Sequence, residues 1–414
     1  MAATLISLGF ESCATAPGLF RQVERGILLA CHVDDVLASA TPQQLTWLRT
    51  ELSSRYELKS DLLGESYAKC GKFLKRSIVW TGEGIVWSPD AKHAHDVIQE
   101  WSSGSSRHCA LPVGPEANKP STGDALSASN ATSFRSAAAK IQYLSHDRAD
   151  LGLPATILAS KMSMPHESDR LILRRVADYL RSNPALNLLF KWQQPPENFE
   201  LTVFTDSDWA ACESTRRSRS GGVILLNNHI VQHFCRMQDT IALSSGEAEL
   251  KATCKGLTEA LGLRNVVEFL FNRKCRITHA TDASACVGML KRSGAGKVKH
   301  LSVRQLWCQE VFRREDACTT KVARADNPAD LMCSTQNKDG LTQKLADLGF
   351  VATAHGSEGG KTCSPPLWPD SVFLVSRFIT DVRRSDGLNP CGLDVSDALS
   401  TVETNFVCHR RQTV

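Results

Sequence analysis

The sequence predicts a mixed α/β fold with more than one domain, and three observations point to it. The chain has 414 residues, which is longer than a typical single domain. Apolar runs around turn residues within 26–40 predict a β-hairpin, whereas helical spacing of apolar residues over 133–181 predicts packed helices. After residue 196, strand patterns come first and then alternate with helical patterns, as in a compact mixed domain.

Composition and charge narrow the class of protein. The formal net charge of +4 is small for this length, so it permits a polyanionic partner without indicating one. The 15 cysteines are scattered, with no C-x-x-C pair and no zinc-ligand spacing, which predicts free thiols in a reducing compartment such as the cytoplasm. No stretch approaches the roughly 18 apolar residues that a membrane span needs, so we expect a soluble protein without a membrane partner.

Residues 1–101 carry two predicted hairpins and two predicted helices. The segment GILLACHVDDVLASA predicts a hairpin with Asp34 and Asp35 at its tip. A helix is predicted after Thr41, a second hairpin around the turn at 81–84, and another helix over 91–101. Taken alone, an Asp-Asp pair at such a tip is more typical of turn chemistry than of a metal site.

The other boundaries follow changes in composition. Residues 102–132 are rich in Ser, Gly, Pro and Asn, which predicts a linker, and residues 133–195 predict a helical connection. Residues 196–350 hold the second set of strands. From residue 351 the periodicity fades, which predicts a poorly ordered tail over 351–414.

Four acidic residues mark the second half of the chain. Asp206 ends the first strand there, Glu249 lies in the long helix, Asp282 ends the fourth strand, and Asp330 lies in the first turn of the last helix. At one sheet edge their carboxylates would hold two divalent ions that activate water and stabilise the departing oxygen of a phosphodiester. Oxygen ligands favour Mg²⁺, with Mn²⁺ as the alternative ion. The competing interpretation is turn chemistry and helix capping, which also place acids at these positions.

The long helix carries two glutamates that must point to nearly opposite sides, so only one can face such a site. Glu247 shares its side with Lys251 and Lys255, which predicts a solvated, charge-paired stripe. Glu249 shares its side with small residues such as Gly246 and Gly256, which let a helix approach a sheet closely. We therefore expect Glu249 to be the ligand.

Four motifs of the second half resemble the RNase H domain of copia-type LTR retrotransposon Pol polyproteins. They are TDSDWAACESTRRSRSGG, ALSSGEAELKA, TDASACVGML and ADNPADLMCSTQ, and they occur in that family's order. The resemblance implies an RNase H-like mixed five-stranded sheet with helices. It also implies that the family's catalytic carboxylates match Asp206, Glu249, Asp282 and Asp330. The sequence departs from the family at Ala283, where Asn is usual, and after Asp330, where LMCS replaces the usual threonine-lysine.

The first half resembles the end of a reverse-transcriptase palm, followed by thumb and connection segments. LLACHVDDVLASAT is similar to the palm hairpin whose two aspartates, here Asp34 and Asp35, bind catalytic metals, with His32 at the usual aromatic position. A polymerase also needs a third carboxylate from an upstream strand, and no Asp precedes Asp34. We therefore expect a partial palm and thumb without unaided polymerase activity. The resemblance spans roughly Leu5 to Phe350.

Basic residues near the four acids are candidates for phosphate binding. The run Arg216, Arg217 and Arg219 follows the first acid-bearing strand, where guanidinium groups would grip phosphates. Lys299 and His300 are weaker candidates in a later loop. The alternative is that all five are ordinary surface residues.

The function implied by the resemblance is hydrolysis of the RNA strand of RNA–DNA hybrids by an RNase H-type endonuclease attached to an incomplete RNA-directed DNA polymerase. Expected partners are the hybrid and the remainder of the Pol polyprotein. The expected location is the cytoplasm, with virus-like particles and the nucleus as alternatives. Two other functions stay open: a decayed remnant that only binds nucleic acid, and a structure-selective nuclease of the same general fold.

Overall fold

The computed structural model describes residues 1–194, 196–352 and 404–410. The helices in these ranges are α1 (Ala2–Ser7), α2 (Pro42–Ser53), α3 (Ala91–Trp101), α4 (Ala128–Leu144), α5 (Gly152–Lys161), α6 (Glu167–Ser182), α7 (Ser245–Phe271), α8 (Ser284–Lys291), α9 (Val303–Arg313) and α10 (Lys338–Asp347). None of these helices combines the length and apolar character needed to cross a membrane.

The strands of the same ranges form three sheets. They are β1 (Glu11–Cys13), β2 (Ala16–Gln22), β3 (Ile27–His32), β4 (Asp35–Ala40), β5 (Leu58–Leu63), β6 (Cys70–Phe73), β7 (Arg76–Trp80), β8 (Gly84–Ser88), β9 (Leu186–Lys191), β10 (Phe199–Asp208), β11 (Arg219–Leu226), β12 (His229–Met237), β13 (Cys275–Thr281), β14 (Cys318–Lys321), β15 (Phe350–Ala352) and β16 (Thr404–Arg410).

The first sheet contains the predicted Asp-Asp hairpin. Its strand order is β1-β2-β3-β4-β16-β5, and β3 pairs with β4 so that His32 lies opposite Asp35. Val33 turns the chain in the left-handed region with a φ of 55°, which leaves Asp34 in the turn. The hairpin predicted from the sequence is therefore confirmed.

The backbone of β16 pairs antiparallel with both β4 and β5 and lies next to the edge strand β5. The predicted poorly ordered tail is thus wrong for residues 404–410, because faded periodicity does not prevent a short segment from completing an existing sheet. The rest of that prediction, for 353–403 and 411–414, lies outside the described residues.

The second sheet, in the order β15-β9-β8-β7-β6, packs beside helices α3 to α6. The predicted second hairpin is confirmed, since Ser77 of β7 pairs with Ser88 of β8. The predicted helical connection over 133–195 is only partly right, because β9 is a strand that pairs with β8. Residues 187–190 are all buried there, and a short, mostly apolar run of this kind is consistent with a strand covered on both faces.

The third sheet is mixed and five-stranded, as the family resemblance implied. Its order is β12-β11-β10-β13-β14, with β10 antiparallel to β11 and parallel to β13. Helix α7 lies across this sheet, and Leu257 of α7 is buried together with Leu201 and Val203 of β10. Parallel pairing of β10 with β13 brings the carboxyl ends of both strands to the same edge.

The last predicted helix of this domain differs from the expectation. The turn that carries Asp330 is a short 3-10 helix, Pro328–Met332, and the α-helix α10 begins only at Lys338. Asn327 caps the turn by accepting a hydrogen bond from the backbone N–H of Ala329 at 3.1 Å.

Candidate active site

Strand register places Asp206 and Asp282 side by side. Phe204 of β10 is the parallel partner of Ala280 of β13. Asp206 lies two residues further along β10, and Asp282 directly follows the last residue of β13. Neighbouring strands lie about 4.8 Å apart, so both acids lie at the same edge of the sheet, and the charge of Asp282 contributes to the raised pKa of Asp206.

Glu249 reaches the same edge from helix α7. Its Oε1 accepts hydrogen bonds from the backbone N–H of Ser207 at 3.2 Å and from the Ser207 hydroxyl at 2.9 Å. The side chain is only 8% exposed, and its Oε2 is buried without a hydrogen-bond partner. A buried carboxylate oxygen without a donor is costly, so this atom points to a missing ligand.

Small residues on α7 allow this close approach, as predicted. A Cβ added at Gly256 would lie 2.6 Å from Cγ2 of Thr205 on β10, and one at Gly246 would lie 2.8 Å from Cε of Met289. Larger side chains at either position would push the helix away from its neighbours. The preference for Glu249 over Glu247 thus has a steric basis.

Asp330 is held near β10 by the residues on either side of it. The Asn327 side-chain amide donates to the carbonyl of Thr205 at 3.0 Å, and the Cys333 thiol donates to the carbonyl of Asp206 at 3.2 Å. Asn327 is 1% exposed. The N-P-A-D motif therefore docks on the strand that carries Asp206.

The acids influence one another electrostatically. Burial raises the pKa of Asp206 to about 7, with further contributions from the charges of Asp330 and Asp282. Burial also raises the pKa of Glu249 to about 8, together with the charges of Asp206 and Asp282. Asp282 and Asp330 are thus near enough to Asp206, and Asp206 and Asp282 near enough to Glu249, for their charges to interact, and a bound cation would relieve that repulsion.

Asp330 differs from the other acids because a lysine side chain already neutralises it. Burial would raise its pKa, but hydrogen bonds from Lys344, Ser334 and Gln336 outweigh that effect and lower the pKa below its usual value. Lys344 of α10 lies 2.5 Å from a carboxylate oxygen of Asp330. Ser334 and Lys344 thus contribute a hydroxyl and an ammonium where the sequence lacks the family's usual threonine-lysine.

The donor set fits a hard divalent cation, although the side chains are not drawn together around one. Within 1–194, 196–352 and 404–410, no three His, Cys, Asp or Glu side chains converge closely enough to hold a metal ion as they stand. The site nevertheless offers carboxylate oxygens only, including the unpartnered Oε2 of Glu249. Raised pKa values at Asp206 and Glu249 indicate missing positive charge. The chemistry of the residues present therefore fits Mg²⁺, whereas the spread of the side chains and Lys344 beside Asp330 oppose a bound ion.

Glu247 does not lie on a solvated face, and that prediction is wrong. The side chain is 4% exposed and bonds Lys251 at 2.8 Å and the His300 ring at 2.8 Å. It also accepts a hydrogen bond from the backbone N–H of Leu243 at 2.8 Å. The loop before α7 folds over this side of the helix, which helical spacing alone cannot reveal.

The predicted phosphate-binding residues divide into two groups. Arg216, Arg217 and Lys299 are exposed, and His300 remains 46% exposed while it contacts Glu247. Arg219 is only 2% exposed and forms a buried ion pair with Asp208 at 2.7 Å. Arg219 is therefore not available to phosphate, because its guanidinium group is bound by Asp208 and by the side chain of Asn118 at 2.8 Å.

Sequence reasoning missed a buried polar network beneath the acids. His279 accepts or donates hydrogen bonds with Thr205 at 2.9 Å, Thr253 at 3.2 Å and Thr319 at 3.0 Å. Burial lowers the pKa of His279 to about 3, so the ring is neutral. The network links β10, α7, β13 and β14 directly below the carboxylates. The alternation of β13 places His279 on the buried face, and that was the available signal.

Asp34 and Asp35 lie on the first sheet, apart from the four acids. Burial and their two negative charges raise the pKa of the neighbouring Cys31 thiol to about 11. In the part of the chain that the structure describes, no third metal-binding side chain converges on this pair. A metal role for Asp34 and Asp35 stays a prediction that depends on a partner from outside these residues.

Comparison with known proteins finds relatives among transposon proteins, while no protein-family profile matches. The chain is 25% identical over 353 residues to the retrovirus-related Pol polyprotein from transposon RE1 of Arabidopsis thaliana, spanning 84% of this chain and 23% of that protein. It is 29% identical over 227 residues to the uncharacterized mitochondrial protein AtMg00810 of the same plant, and this match covers 54% of this chain and 89% of that protein. It is 34% identical over 131 residues to secreted RxLR effector protein 161 of Plasmopara viticola, and this match covers 31% of this chain and 90% of that protein.

Among solved structures, this chain is similar to the foamy viral protease-reverse transcriptase in complex with an RNA/DNA hybrid. The match covers 81% of this chain and 38% of the viral protein, with 12% sequence identity and a TM-score of 0.43. The strand order and register described above are what define the fold here. The chain spans about a quarter of the length of the Pol polyproteins that it matches, 24% for transposon TNT 1-94 of Nicotiana tabacum and 23% for RE1.

Proposed function

Because the chain belongs to the retrovirus-related Pol polyproteins of copia-type transposons and carries their RNase H-like domain, we propose that it is an RNase H-type endonuclease. Its substrate is the RNA strand of an RNA–DNA hybrid. The observation that carries this proposal is that neighbouring acids raise the pKa of two of the four carboxyl groups. Asp282 and Asp330 do so at Asp206, and Asp206 and Asp282 do so at Glu249.

The four carboxylates would hold Mg²⁺, with Mn²⁺ as the alternative. When bound there, two such ions supply activation of the attacking water and charge stabilisation of the departing oxygen. Ser207 fixes one oxygen of Glu249 and leaves the other free to act as a ligand. Asn327 and Cys333 hold the turn of Asp330 against β10. Arg216 and Arg217 are exposed beside the site and would contact backbone phosphates of the substrate.

A second candidate function, a decayed remnant that only binds nucleic acid, is favoured by one observation. Lys344 neutralises Asp330 in the position where a cation would bind. A bound metal ion must displace or outcompete that ammonium. If it does not, the fold remains intact and the hydrolytic site does not form.

A polymerase site at Asp34 and Asp35, which form the tip of the β3–β4 hairpin, would need a third carboxylate. We propose that the remainder of the Pol polyprotein supplies this carboxylate as a partner, and that the first half has no polymerase activity without it. The proposed location is the cytoplasm, including virus-like particles, with the nucleus as the alternative.

The experiment follows release of RNA from an end-labelled RNA–DNA hybrid in magnesium buffer. Wild-type protein is compared with Asp206→Asn, which removes one ligand, and with Asp124→Asn, an exposed aspartate outside the site, as the control. We expect cleavage by the wild type and the control but not by Asp206→Asn. Equal signals from all three would reject the nuclease, and cutting of branched DNA in preference to the hybrid would support the structure-selective alternative.

A further inference from the structure

Two cysteine side chains meet where α9 packs against α7. Cys254 of α7 and Cys308 of α9 are free thiols, and a hydrogen bond joins them. The Sγ atom of Cys254 in turn donates to the backbone carbonyl of Arg304 at 3.3 Å. Arg304 lies four residues before Cys308, so both lie on the side of α9 that faces α7. The two sulfur atoms are therefore neighbours, which is the first requirement for a disulfide bond between these helices.

A cavity gives access to one of the two thiols. Its volume of about 340 Å³ falls within the range of about 300–1,000 Å³ that is typical of small-molecule sites. This cavity, here called the thiol cavity, lies between the end of β12, the first half of α7 and the start of α9. Cys254 lines it and is 6% exposed, whereas Cys308 is fully buried and lies outside its lining. A reagent in the thiol cavity therefore meets Cys254 first.

The walls of the thiol cavity favour an anionic ligand. The charged residues of its lining are one acid, Asp239, and four bases: Arg236, Lys251, Lys255 and Arg304. Each of the two lysines is paired with a glutamate of α7. Arg304 lies 3.5 Å from Asp239, but these side chains are 74% and 85% exposed, and so exposed an ion pair is weak. Arg304 and the exposed Arg236 can therefore turn toward a carboxylate in the cavity.

The same surroundings make Cys254 a reactive thiol. The hydrogen bond from Cys308 lowers the pKa of Cys254, and the charges of Arg304 and Lys255 lower it further, against the opposing effect of burial. Burial instead raises the pKa of Cys286, another buried thiol, to about 12. Because the thiolate is the nucleophilic form of cysteine, we expect Cys254 to react first.

Cys308 is suited to a second step. Its hydrogen bond to Cys254 raises the pKa of Cys308, and burial and the charge of Cys254 raise it further. Once Cys254 is part of a disulfide, its thiolate charge is gone and so is the anionic acceptor of that hydrogen bond. The pKa of Cys308 is then expected to fall, so that its thiolate forms beside the sulfur that it must attack.

Gln238 adds a requirement for a hydrogen-bond donor. Its side chain lines the cavity and is 6% exposed, and its Oε1 is buried without a hydrogen-bond partner. Its amide nitrogen donates to the carbonyl of Ala248 at 2.9 Å and to the hydroxyl of Ser220 at 3.0 Å, which fixes the position of the oxygen. A ligand with an N–H group satisfies this oxygen. The thiol cavity therefore matches a ligand that carries an amide N–H as well as a carboxylate.

We propose that the thiol cavity is a thiol–disulfide exchange site for a small, peptide-like disulfide that carries carboxylate and amide N–H groups. The Cys254 thiolate attacks one sulfur of this reagent, so that a mixed disulfide forms and the first thiolate of the reagent leaves. Cys308 then attacks the Cys254 sulfur, and the second thiolate leaves. The two protein thiols are thus oxidised to one S–S bond that joins α7 to α9, while the S–S bond of the reagent is reduced and its two sulfurs take up the two protons. Neither step involves nucleic acid or a metal ion, so the exchange site is independent of the proposed nuclease.

The first test maps the disulfide bond, with oxidised glutathione as the probe. The reduced full chain is treated with the probe, the remaining thiols are alkylated, and tryptic peptides are identified by mass spectrometry. We expect peptide 252–255 to be joined to peptide 305–313 in the wild type and equally in Cys318→Ser, which removes an exposed cysteine of β14. Recovery of Cys254 and Cys308 in alkylated form would overturn the proposal, and glutathione on the exposed Cys70 shows that the probe was active.

Two further variants test the order of the steps. Cys308→Ser should stop at the mixed disulfide, with glutathione on Cys254. Cys254→Ser should leave Cys308 as a free thiol, because Cys308 is fully buried. Glutathione on Cys308 of the second variant, or an unmodified Cys254 in the first, would contradict the proposal. Circular dichroism checks the fold of both variants, and the map of the wild type depends on neither substitution.

The charge of the thiol cavity is tested in the Cys308→Ser background, where the rate of the first step can be followed alone. Oxidised glutathione is compared with the neutral bis(2-hydroxyethyl) disulfide, so that a change in thiol reactivity cancels in the ratio of the two rates. Arg236→Gln/Arg304→Gln is expected to lower this ratio at least about fivefold at low salt. Arg273→Gln/Arg313→Gln, which removes two exposed arginines outside the cavity, should leave it unchanged. An equal ratio in both double variants would show that the cavity does not select an anionic disulfide and would overturn the assignment of its ligand.

Discussion

Lys344 Nζ lies 2.5 Å from a carboxylate oxygen of Asp330, and both side chains are only 12% exposed. The last helix thus provides an internal cation to the fourth acid of the site. A buried pair of this kind is costly to break from one side only, because the remaining charge stays desolvated. The same ammonium fills the space beside Asp330 that a metal ion would need, and it already neutralises the charge of the Asp330 carboxylate.

Substitution Lys344→Met is expected to tighten binding of Mg²⁺ by about tenfold, which corresponds to about 1.4 kcal/mol. The reason is that Asp330 loses its internal partner and gains from a bound ion. Isothermal titration calorimetry measures this affinity. Lys338→Met, at the exposed start of the same helix, serves as control and is expected to bind Mg²⁺ like the wild type. Unchanged affinity in Lys344→Met would show that Lys344 does not compete with the metal.

Substitution by glutamine is expected to affect activity at one glutamate of α7 and stability at the other. Glu249→Gln is expected to abolish hydrolysis with little loss of stability, since Oε2 has no partner to lose. Glu247→Gln is expected to lower the free energy of unfolding by about 1–3 kcal/mol, because it weakens the contacts with Lys251 and His300. Urea unfolding and hybrid cleavage on both proteins provide the comparison, and a stable, inactive Glu247→Gln would reverse the assignment.

Stability of the metal-free protein is expected to fall as the pH rises from about 4 to about 8. Folding raises the pKa of Asp206 from 3.8 to about 7 and that of Glu249 from 4.5 to about 8. Between those values the folded state binds more protons than the unfolded state, so stability is present at low pH and lost as the pH increases. Thermal unfolding in EDTA measures this dependence of the melting temperature on pH. The fall in melting temperature should be smaller in Asp206→Asn, and a rise in the wild type between these pH values would contradict the prediction.

The turn that holds Asp330 depends on one buried amide. Asn327→Ala removes the hydrogen bond to the carbonyl of Thr205 and leaves that oxygen buried, at an expected cost of about 1–3 kcal/mol in the free energy of unfolding. The displaced turn should also weaken Mg²⁺ binding. Asn337→Ala, which removes an exposed cap of α10, is the control for a general effect of losing an asparagine. Equal metal affinity in both variants would show that Asn327 does not position Asp330.

Local patterns were enough to predict the elements that carry the site. The Asp-Asp hairpin, the long helix α7 and a mixed α/β domain follow from periodicity, turn residues and the order of strands and helices, whereas the five-stranded sheet followed from the family resemblance. The convergence of Asp206, Glu249, Asp282 and Asp330 at one sheet edge stays a prediction, which the parallel pairing of β10 with β13 supports for Asp206 and Asp282. These features depend on neighbours in sequence or on general rules of sheets.

What the sequence did not reveal depends on contacts between distant segments. Glu247 is buried by a loop, and Arg219 is buried against Asp208, although both are charged residues that normally face water. The pairing of β16 with β4 joins residues more than 360 positions apart. Lys344 reaches Asp330 from another helix, so spacing along the chain gave no indication of it.

The central claim is that Asp206, Glu249, Asp282 and Asp330 hold divalent cations, and anomalous scattering from a crystal of this chain grown with Mn²⁺ tests it most directly. We expect anomalous peaks within coordination distance of Asp206 and Glu249, with the Asp330–Lys344 pair opened. Absence of any peak among these four carboxylates at saturating Mn²⁺ would contradict the claim and leave a nucleic-acid-binding remnant as the better description.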